Sequence, residues 1–266
     1  MNTSNGLLSG KICLITGAGR GIGMEIAKRF REEGAVVYAN ARRENCLEEW
    51  AKKLNSEGKG TIIPIYFDMT DTDGIKQSVL RLKNEAGRID VLVNNAGIIH
   101  NDTLGMISLE KTRKMFDVNV FGLLELTQWI ATRFMMKQES GSIINLASVA
   151  GVEGSRGQIA YSASKGAVIA LTKSMAKELT PYHIRVNAIA PGMIQTERLN
   201  VSVKENYKQE APFLGFGRLG KPREIADGCL YFATELSSYT TGQVLVIGGG
   251  YDTVSRNLFD IEFKEE

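Results

Sequence analysis

Cysteine and histidine are scarce in this chain of 266 residues. The three cysteines, Cys13, Cys46 and Cys229, are scattered and odd in number, and none belongs to a CxxC pair. This spacing argues against a zinc site and favours a reducing compartment. The two histidines, His100 and His183, lie in no recognisable catalytic setting, so we expect surface or loop positions for both. The sequence therefore predicts a protein without a metal site.

Long apolar runs and a one-sided charge are missing as well. No stretch approaches the ~20 apolar residues that span a bilayer, and the N-terminus lacks the pattern of a secretory signal. The formal net charge is +2 and the charges are interspersed, so nucleic-acid binding has no electrostatic support. We expect a cytoplasmic protein that binds neither membranes nor nucleic acids.

Apolar runs alternate with helical patterns along the whole chain. The predicted strands cover residues 11–16, 36–40, 61–67, 90–94, 142–146, 184–190 and 243–247. The predicted helices cover residues 24–33, 44–56, 74–86, 109–137, 161–179 and 224–234. Strands separated by helices predict an α/β fold, with a doubly wound parallel sheet covered on both faces. No linker divides the chain, so we expect a single domain over residues 1–266, in which the irregular stretch 192–222 is the best candidate for a mobile lid.

Tyr161 and Lys165 are four residues apart in a predicted helix, with Ser148 upstream. Four residues are just over one helical turn, so the phenol and the ammonium project from the same face. A tyrosine beside a cation can serve as an acid or base near neutral pH, so this spacing predicts an enzyme that moves a proton with Tyr161. Taken singly, the tyrosine would be a core-edge residue, the lysine a surface residue and the serine a turn or cap.

A glycine-rich turn, Thr16–Gly23 (TGAGRGIG), falls where the first strand must give way to the first helix. Glycines there permit a tight turn and let backbone N–H groups approach an anion at the positive end of the helix. The spacing differs from the G-x-G-x-x-G pattern, and the alternative is a tight turn without a ligand. Its place after the first strand of a doubly wound sheet favours a dinucleotide site.

The end of the second predicted strand indicates which dinucleotide binds. An acidic residue about 20 positions after the glycines commonly binds the ribose 2′-hydroxyl of NAD, but here the strand ends Asn40-Ala41-Arg42-Arg43. Arg42 can pair with a 2′-phosphate, and Arg20 in the turn is a second cation within reach. The alternative for the arginine pair is an ordinary solvated helix start. We expect NADP(H).

These motifs together resemble the short-chain dehydrogenase/reductase family. The resemblance rests on the turn Thr16–Gly23, the sequence NNAG at Asn94–Gly97, Asn119 in VNV, and the ordered set Ser148, Tyr161 and Lys165. It runs from about Leu8 to Tyr251 and leaves residues 252–266 as a C-terminal tail. It implies a Rossmann-type subunit, usually assembled into homodimers or homotetramers.

The resemblance also implies site residues. The implied catalytic residues are Asn119, Ser148, Tyr161 and Lys165. The implied cofactor contacts are Gly17, Gly19, Arg20, Gly21, Ile22, Gly23, Arg42, Asp68, Met69, Asn95, Ala96, Gly97, Tyr161, Lys165, Pro191, Gly192, Ile194 and Thr196. In the family's mechanism a hydride passes between the nicotinamide and a carbonyl or carbinol carbon. Tyr161 would exchange the proton, Lys165 would tune the phenol and bind the ribose, Ser148 would hold the substrate oxygen, and Asn119 would hold a water.

Within the family the chain most resembles the 3-oxoacyl-(acyl carrier protein) reductases, through residues 154–161 (GSRGQIAY) and 218–226 (RLGKPREIA). Those reductases generally carry basic residues where this chain has Glu139 and Tyr182, and the acidic tail would repel an acidic carrier near the entrance. A 3-oxoacyl-thioester reductase is the leading expectation for the small-molecule substrate. The alternatives are an enzyme of a sugar, steroid or other small alcohol or ketone and, from another class, a non-catalytic dinucleotide-sensing or scaffold protein.

Overall fold

Seven strands form one parallel sheet in a computed structural model that describes residues 6–197 and 215–250. The sheet order is β3-β2-β1-β4-β5-β6-β7, and each neighbouring pair is parallel. The strands are β1 Ile12–Ile15, β2 Val36–Ala41, β3 Thr61–Tyr66, β4 Val91–Asn94, β5 Gly141–Leu146, β6 Ile184–Pro191 and β7 Val244–Ile247. The predicted doubly wound sheet is confirmed.

Helices connect the strands and cover both faces of the sheet. They are α1 Gly21–Glu32, α2 Glu48–Asn55, α3 Thr72–Glu85, α4 Leu109–Phe116, α5 Gly122–Ile130, α6 Met136–Gln138, α7 Val149–Glu153, α8 Ile159–Leu179 and α9 Pro222–Ala233. Every predicted helix is present, although α2 begins at Glu48 and not at residue 44. The short helix α7 and a 3-10 turn at Leu104–Met106 were not predicted, because each is too short to show a helical period.

The strands are apolar because the sheet is buried on both faces. Cys13, Leu14 and Ile15 in β1 are all fully buried. The side chains of Cys13 and Ile15 belong to the core cluster that includes α1 and α9, whereas Leu14 packs in the cluster with α3 and α5. Successive residues of a strand point to opposite faces, so a strand covered on both sides must be apolar throughout.

The predicted helical region at residues 109–137 is not one regular helix. Two π-helical turns, Asp117–Phe121 and Ala131–Met135, join α4 to α5 and α5 to α6. A π turn contains one more residue than a turn of α-helix, and such turns are frequent at functional sites. The first of them carries Asn119, whose side chain points inward and is buried.

The order of the sheet reverses beside β1. This strand lies between β2 and β4, and the chain leaves β1 towards β2 on one side and reaches β4 on the other. In open α/β sheets, ligands bind in the crevice outside the strand ends at such a point. The glycine-rich turn follows β1 and the segment 95–97 follows β4, so both predicted cofactor motifs lie at this crevice.

Two sequence predictions concern residues outside the described ranges. The predicted lid at 192–222 includes residues 198–214, and the predicted C-terminal tail covers residues 252–266. In the described flanks of the first segment, the Gln195 N–H donates to the Gly220 carbonyl at 2.8 Å, and the Phe216 N–H donates to the Gly249 carbonyl at 2.9 Å. These bonds tie residues 195 and 216 to neighbouring backbone.

Candidate active site

The glycine-rich turn has the conformation and the close packing that its sequence predicted. Gly17 has φ 65° and Gly21 has φ 57°, a region that other residues rarely adopt. A Cβ on Gly17 would lie 2.8 Å from the Ala96 Cα, and one on Gly23 would collide with the Asn95 side chain. By contrast, a Cβ on Gly19 would meet its neighbours only at ordinary contact distances. The turn is therefore tight against the β4 side, and α1 begins directly after it.

The segment that follows β4 holds this turn in place. The Asn95 side chain donates from Nδ2 to the carbonyl oxygens of Thr16 and Gly17 at 2.9 and 3.1 Å. The Thr16 hydroxyl in turn accepts hydrogen bonds from the backbone N–H groups of Asn95 and Ala96 at 3.0 and 2.9 Å. Backbone groups of the turn that would otherwise be buried without partners are thereby satisfied. The arrangement fixes the floor of the crevice.

Asn40 was not predicted as a site residue, yet it anchors the other side of the turn. Its Oδ1 accepts from the Gly17 N–H at 3.3 Å, and its Nδ2 donates to the Phe67 carbonyl at 3.1 Å. The Ala18 N–H also donates to the Asn40 carbonyl at 2.7 Å. The signal in the sequence was a polar residue near the end of an apolar strand, which by itself does not reveal its partner.

Arg42 lies at the outer end of the crevice and is 76% exposed. Its Nε is 3.8 Å from Asp68 Oδ2, whereas Asp68 Oδ1 accepts from the backbone N–H and the hydroxyl of Thr70. The pair brings a mostly exposed cation and a partly buried carboxylate together at the ends of β2 and β3. A guanidinium with most of its donors facing solvent is suited to bind a phosphate.

A cleft of about 410 Å³ runs along these elements. The predicted residues that line it are Gly17, Gly19, Arg20, Gly21, Ile22, Gly23, Arg42, Asp68, Met69, Asn95, Ala96, Gly97 and Thr196. The lining also includes residues that were not predicted, namely Asn40, Ala41, Phe67, Ile98, Val118 and Glu197.

Five predicted cofactor contacts do not line this cleft. Tyr161 and Lys165 belong to α8, and Pro191 ends β6. The Gly192 N–H donates to the Ile247 carbonyl at 3.0 Å, and Ile194 is buried among core side chains. The last two positions hold backbone in place here.

Asn119 is held by three hydrogen bonds inside its π turn. Its Oδ1 accepts from the Ile98 N–H at 2.8 Å, and its Nδ2 donates to the Ile98 carbonyl at 2.9 Å and to the Ser164 hydroxyl at 3.1 Å. Ser164 in turn donates to the Tyr161 carbonyl at 2.8 Å. Both N–H groups of the amide are used, so one lone pair of Oδ1 is the only remaining side-chain position at which Asn119 could hold a water.

Lys165 is buried, and its ammonium donates to the Leu146 carbonyl at 2.7 Å. Burial lowers the pKa of Lys165 to about 8, because the interior solvates its charge less well than water does. The nitrogen lies 5.9 Å from the centre of the Tyr161 ring. The predicted proximity of these two side chains on one face of a helix is confirmed.

Lys165 and Asn119 also meet at one point beside the cleft. A Cβ on Gly97 would lie 3.3 Å from Asn119 Oδ1 and 3.5 Å from Lys165 Nζ. The end of β4, the π turn and α8 therefore converge at this glycine. The space that a side chain would fill remains open next to both polar groups.

Ser148 follows β5 and is the N-cap of α7. Its Oγ accepts from the Ala150 N–H at 3.2 Å, as the capping alternative predicts. The cap uses the oxygen as an acceptor and leaves the hydroxyl hydrogen able to donate to another group. Capping and a role in the site are therefore compatible.

The residues around the cleft fit a phosphorylated dinucleotide. The glycine-rich turn at the N-terminus of α1 offers backbone N–H groups and positive potential to a pyrophosphate. Two cations, Arg20 and Arg42, line the same cleft. Across residues 6–197 and 215–250 no cluster of three His, Cys, Asp or Glu side chains is placed to hold a metal ion, and no helix is long and apolar enough to cross a bilayer.

Comparisons with known proteins agree with this geometry. The sequence model of the short chain dehydrogenase family matches residues 11–207. The chain is 43% identical over 247 residues to the 3-oxoacyl-(acyl-carrier-protein) reductase FabG of Thermotoga maritima, an alignment that covers 91% of this chain and 98% of that protein.

Solved structures have the same fold. A short-chain type dehydrogenase/reductase from Mycobacterium marinum superposes with a TM-score of 0.86 at 38% identity, over 92% of this chain and 96% of that one. A 3-oxoacyl-(acyl-carrier protein) reductase from Brucella melitensis does so with a TM-score of 0.86 at 34% identity, over 92% of each chain. The resemblance seen in the motifs is confirmed: this chain belongs to the short-chain dehydrogenase/reductase family of oxidoreductases.

Proposed function

We propose that this protein transfers a hydride between NADP(H) and a carbonyl or secondary alcohol, with Tyr161 as general acid and base. The observation that carries the proposal is the convergence of Asn119, Tyr161 and Lys165 beside the cleft. The lysine nitrogen is 5.9 Å from the centre of the tyrosine ring, and Asn119 and Lys165 flank the open space at Gly97. This is the arrangement that a proton-transfer group tuned by a cation requires.

The cleft residues would hold the cofactor, whose nicotinamide supplies or accepts the hydride when bound. The turn from Gly17 to Gly23 would bind the pyrophosphate through backbone N–H groups. Arg42, with Arg20, would bind the 2′-phosphate, because the end of β2 carries no carboxylate to repel it. Asp68 would accept a hydrogen bond from the adenine amino group. These features support NADP(H) over NAD(H).

Proton transfer would be the task of the polar side chains on the inner side of the site. Tyr161 would donate its proton to the substrate oxygen in reduction and remove one in oxidation. The Lys165 ammonium would favour the phenolate by its charge and would bind the nicotinamide ribose. Ser148 would donate its hydroxyl hydrogen to the substrate oxygen, since the bond from the Ala150 N–H uses only one lone pair of the serine oxygen and leaves the hydrogen available.

A 3-oxoacyl thioester is the leading substrate. Its support is the reductase name that two of the similar proteins carry, at 43% and 34% identity over most of each chain. The resemblance to 3-oxoacyl-(acyl carrier protein) reductases implies basic residues at two positions where this chain has Glu139 and Tyr182. Both of these side chains are exposed here. A weaker dependence on an acidic carrier protein is therefore part of the proposal.

Assembly and location are also proposals. Large apolar side chains are exposed on the first π turn, on α5 and from α9 to β7, and they support a homotetramer or homodimer formed through these surfaces. They are Phe121, Leu124, Tyr231, Leu236, Tyr239 and Leu245. The scattered cysteines support a cytoplasmic location.

A substrate panel with purified protein tests the function. We expect the highest kcat/KM for 3-oxoacyl thioesters with NADPH, measured against simple ketones, sugars and steroids and against NADH. Carrier-linked and pantetheine-linked thioesters are compared to measure the dependence on a carrier. A preference for NADH would refute the cofactor proposal, and turnover confined to sugars or steroids would refute the leading substrate.

Replacement of Tyr161 by Phe tests the proton-transfer role. We expect Tyr161→Phe to lower kcat by a factor of about 10² to 10⁴ while NADPH binding, followed by fluorescence, persists. Tyr182→Phe is the matched control, since Tyr182 is partly exposed at the far end of α8 and outside the site. Wild-type turnover in Tyr161→Phe would contradict the mechanism, and absence of turnover with every substrate in the wild type would favour the non-catalytic alternative.

A further inference from the structure

A row of four buried polar side chains crosses the apolar layer beneath α5 and α8. The row consists of Thr127 in α5, Asn94 in β4, Asn145 in β5 and Thr172 in α8, each at most 2% exposed. Asn94 and Asn145 are direct neighbours in the sheet register. Of these four residues, only Asn94 belongs to the motifs that predicted the site.

Hydrogen bonds connect the row from end to end. Asn94 Nδ2 donates to Thr127 Oγ1 and to Asn145 Oδ1, both at 2.8 Å. Asn145 Nδ2 donates to Thr172 Oγ1 at 2.9 Å, and the Thr172 hydroxyl donates to the Val168 carbonyl at 2.8 Å. Two strands and two helices are therefore joined by side chains at one level of the fold.

Stability alone gives little reason for such a row. A buried polar group loses its hydration, so each hydrogen bond that it then makes stabilises the fold only modestly in net terms. Replacing both partners of such a bond by apolar side chains of the same shape can be nearly neutral or even stabilising. What directional hydrogen bonds add is a defined position of one element on another, which apolar contacts enforce less strictly.

The position that the row defines is that of Lys165. Thr172 is seven residues, close to two helical turns, beyond Lys165, so both side chains project from the same face of α8. Thr172 binds Asn145, and Lys165 donates to the carbonyl of Leu146, the next residue of β5. α8 is thus fixed to two consecutive residues of one strand at two points along a single face.

We propose that Asn145 and Thr172 are positioning residues that set the height and rotation of α8 over β5, and thereby the place of the Lys165 ammonium. The inference rests on the proposed function, because it assigns them a purpose through Lys165. Without the bond between them, one of these two side-chain hydrogen bonds from α8 to β5 is lost. α8 can then shift over β5 and carry Tyr161 with it while the Lys165 nitrogen stays at the Leu146 carbonyl, so the ammonium moves relative to the tyrosine.

The test is Thr172→Val, which keeps the shape of the side chain and removes its hydroxyl. We expect kcat to fall by about ten- to a hundredfold, as small displacements of catalytic groups do, with KM for the carbonyl substrate little changed. The isotope effect on kcat, measured with NADPH deuterated at the transferred position, should rise because hydride and proton transfer become slower. Thr172→Ser restores the hydroxyl and should restore kcat.

Thr180→Val is the matched control, since Thr180 is the C-cap of the same helix. The Thr180 hydroxyl donates to the Ala176 carbonyl at 2.6 Å, the same bond to the preceding turn that Thr172 makes, and Thr180 is exposed. We expect wild-type kcat and isotope effect for Thr180→Val. If Thr172→Val does not fold, Thr172→Cys takes its place, since a thiol is a much weaker hydrogen-bonding group of similar size.

Two outcomes overturn the inference. One is a Thr172→Val protein with lower thermal stability but wild-type kcat and isotope effect, which would mean that the row serves folding alone. The other is a Thr172→Ser protein as impaired as Thr172→Val. The proposed function fails by a different result, full turnover in Tyr161→Phe, so the two failures are distinguishable.

Discussion

Replacement of Lys165 by Met should change the pH dependence of stability in a defined direction. Lys165 is buried, and burial lowers its pKa from 10.5 to about 8. Between these two pH values the unfolded chain binds a proton that the folded protein has released. The free energy of unfolding of the wild type therefore rises with pH across this interval, and below pH 8 the protein bears the full cost of burying the charge.

The size of the effect follows from the same two values. Stability changes by about 1.4 kcal/mol for each pH unit between them, so the wild type should gain about 3 kcal/mol between pH 7 and pH 10.5 from this group. Lys165→Met has no such group. The variant also lacks the hydrogen bond from Lys165 to the Leu146 carbonyl, and this loss lowers its free energy of unfolding by about 1 kcal/mol at every pH. The variant should thus have its greatest advantage over the wild type at pH 7 and lose it towards pH 10.

Urea unfolding of both proteins measures this difference. The experiment is done without cofactor, at a fixed protein concentration and at intervals from pH 7 to pH 10. Groups that titrate elsewhere affect both proteins alike and cancel. Lys173→Met is the control for the loss of a lysine from the same helix, since Lys173 is exposed. A constant difference between Lys165→Met and the wild type over this range would refute the reasoning that Lys165 is buried at a cost.

Two further predictions concern the cleft. Gly23→Ala should lower the free energy of unfolding by about 1–3 kcal/mol and weaken NADPH binding, because the new Cβ collides with Asn95 and with the Gly17 carbonyl. The melting temperature with and without NADPH measures both effects, and wild-type values would contradict the packing. Arg42→Ala should lower kcat/KM for NADPH by about ten- to a hundredfold and leave kcat/KM for NADH unchanged, as expected for loss of a hydrogen-bonded charge. Equal losses with both cofactors, or the same loss in the control Arg43→Ala, would contradict the role of Arg42.

The sequence was informative wherever local chemistry decides the structure. A parallel sheet buried on both faces requires apolar strands, and a turn with positive φ values at Gly17 and Gly21 requires glycine. Both features can therefore be predicted from the sequence. The four-residue spacing of Tyr161 and Lys165 is legible for the same reason, since helical geometry converts spacing into a shared face.

Features that depend on how elements meet were not legible. The π turn around Asn119 adds one residue to a helix. An apolar pattern that is shifted by one residue still predicts a single α-helix. The contact of Asn40 with Gly17 requires the register of β1 against β2. The bond from Lys165 to the Leu146 carbonyl requires the height of α8 above the sheet, which no local pattern encodes.

The bonds from Asn95 to the carbonyls of Thr16 and Gly17 have a consequence for folding. They join groups 79 and 78 residues apart in the chain, and they do so at the line where β1 meets β4. Closing so long a loop has an entropic cost, so we expect these contacts to form late in folding. A cofactor bound across this line would contact both the part of the sheet with β1 to β3 and the part with β4 to β7, so its binding energy would oppose their separation. Occupancy of the cleft would then report that the two parts have assembled, and amide hydrogen exchange in both should slow together when the cofactor is added.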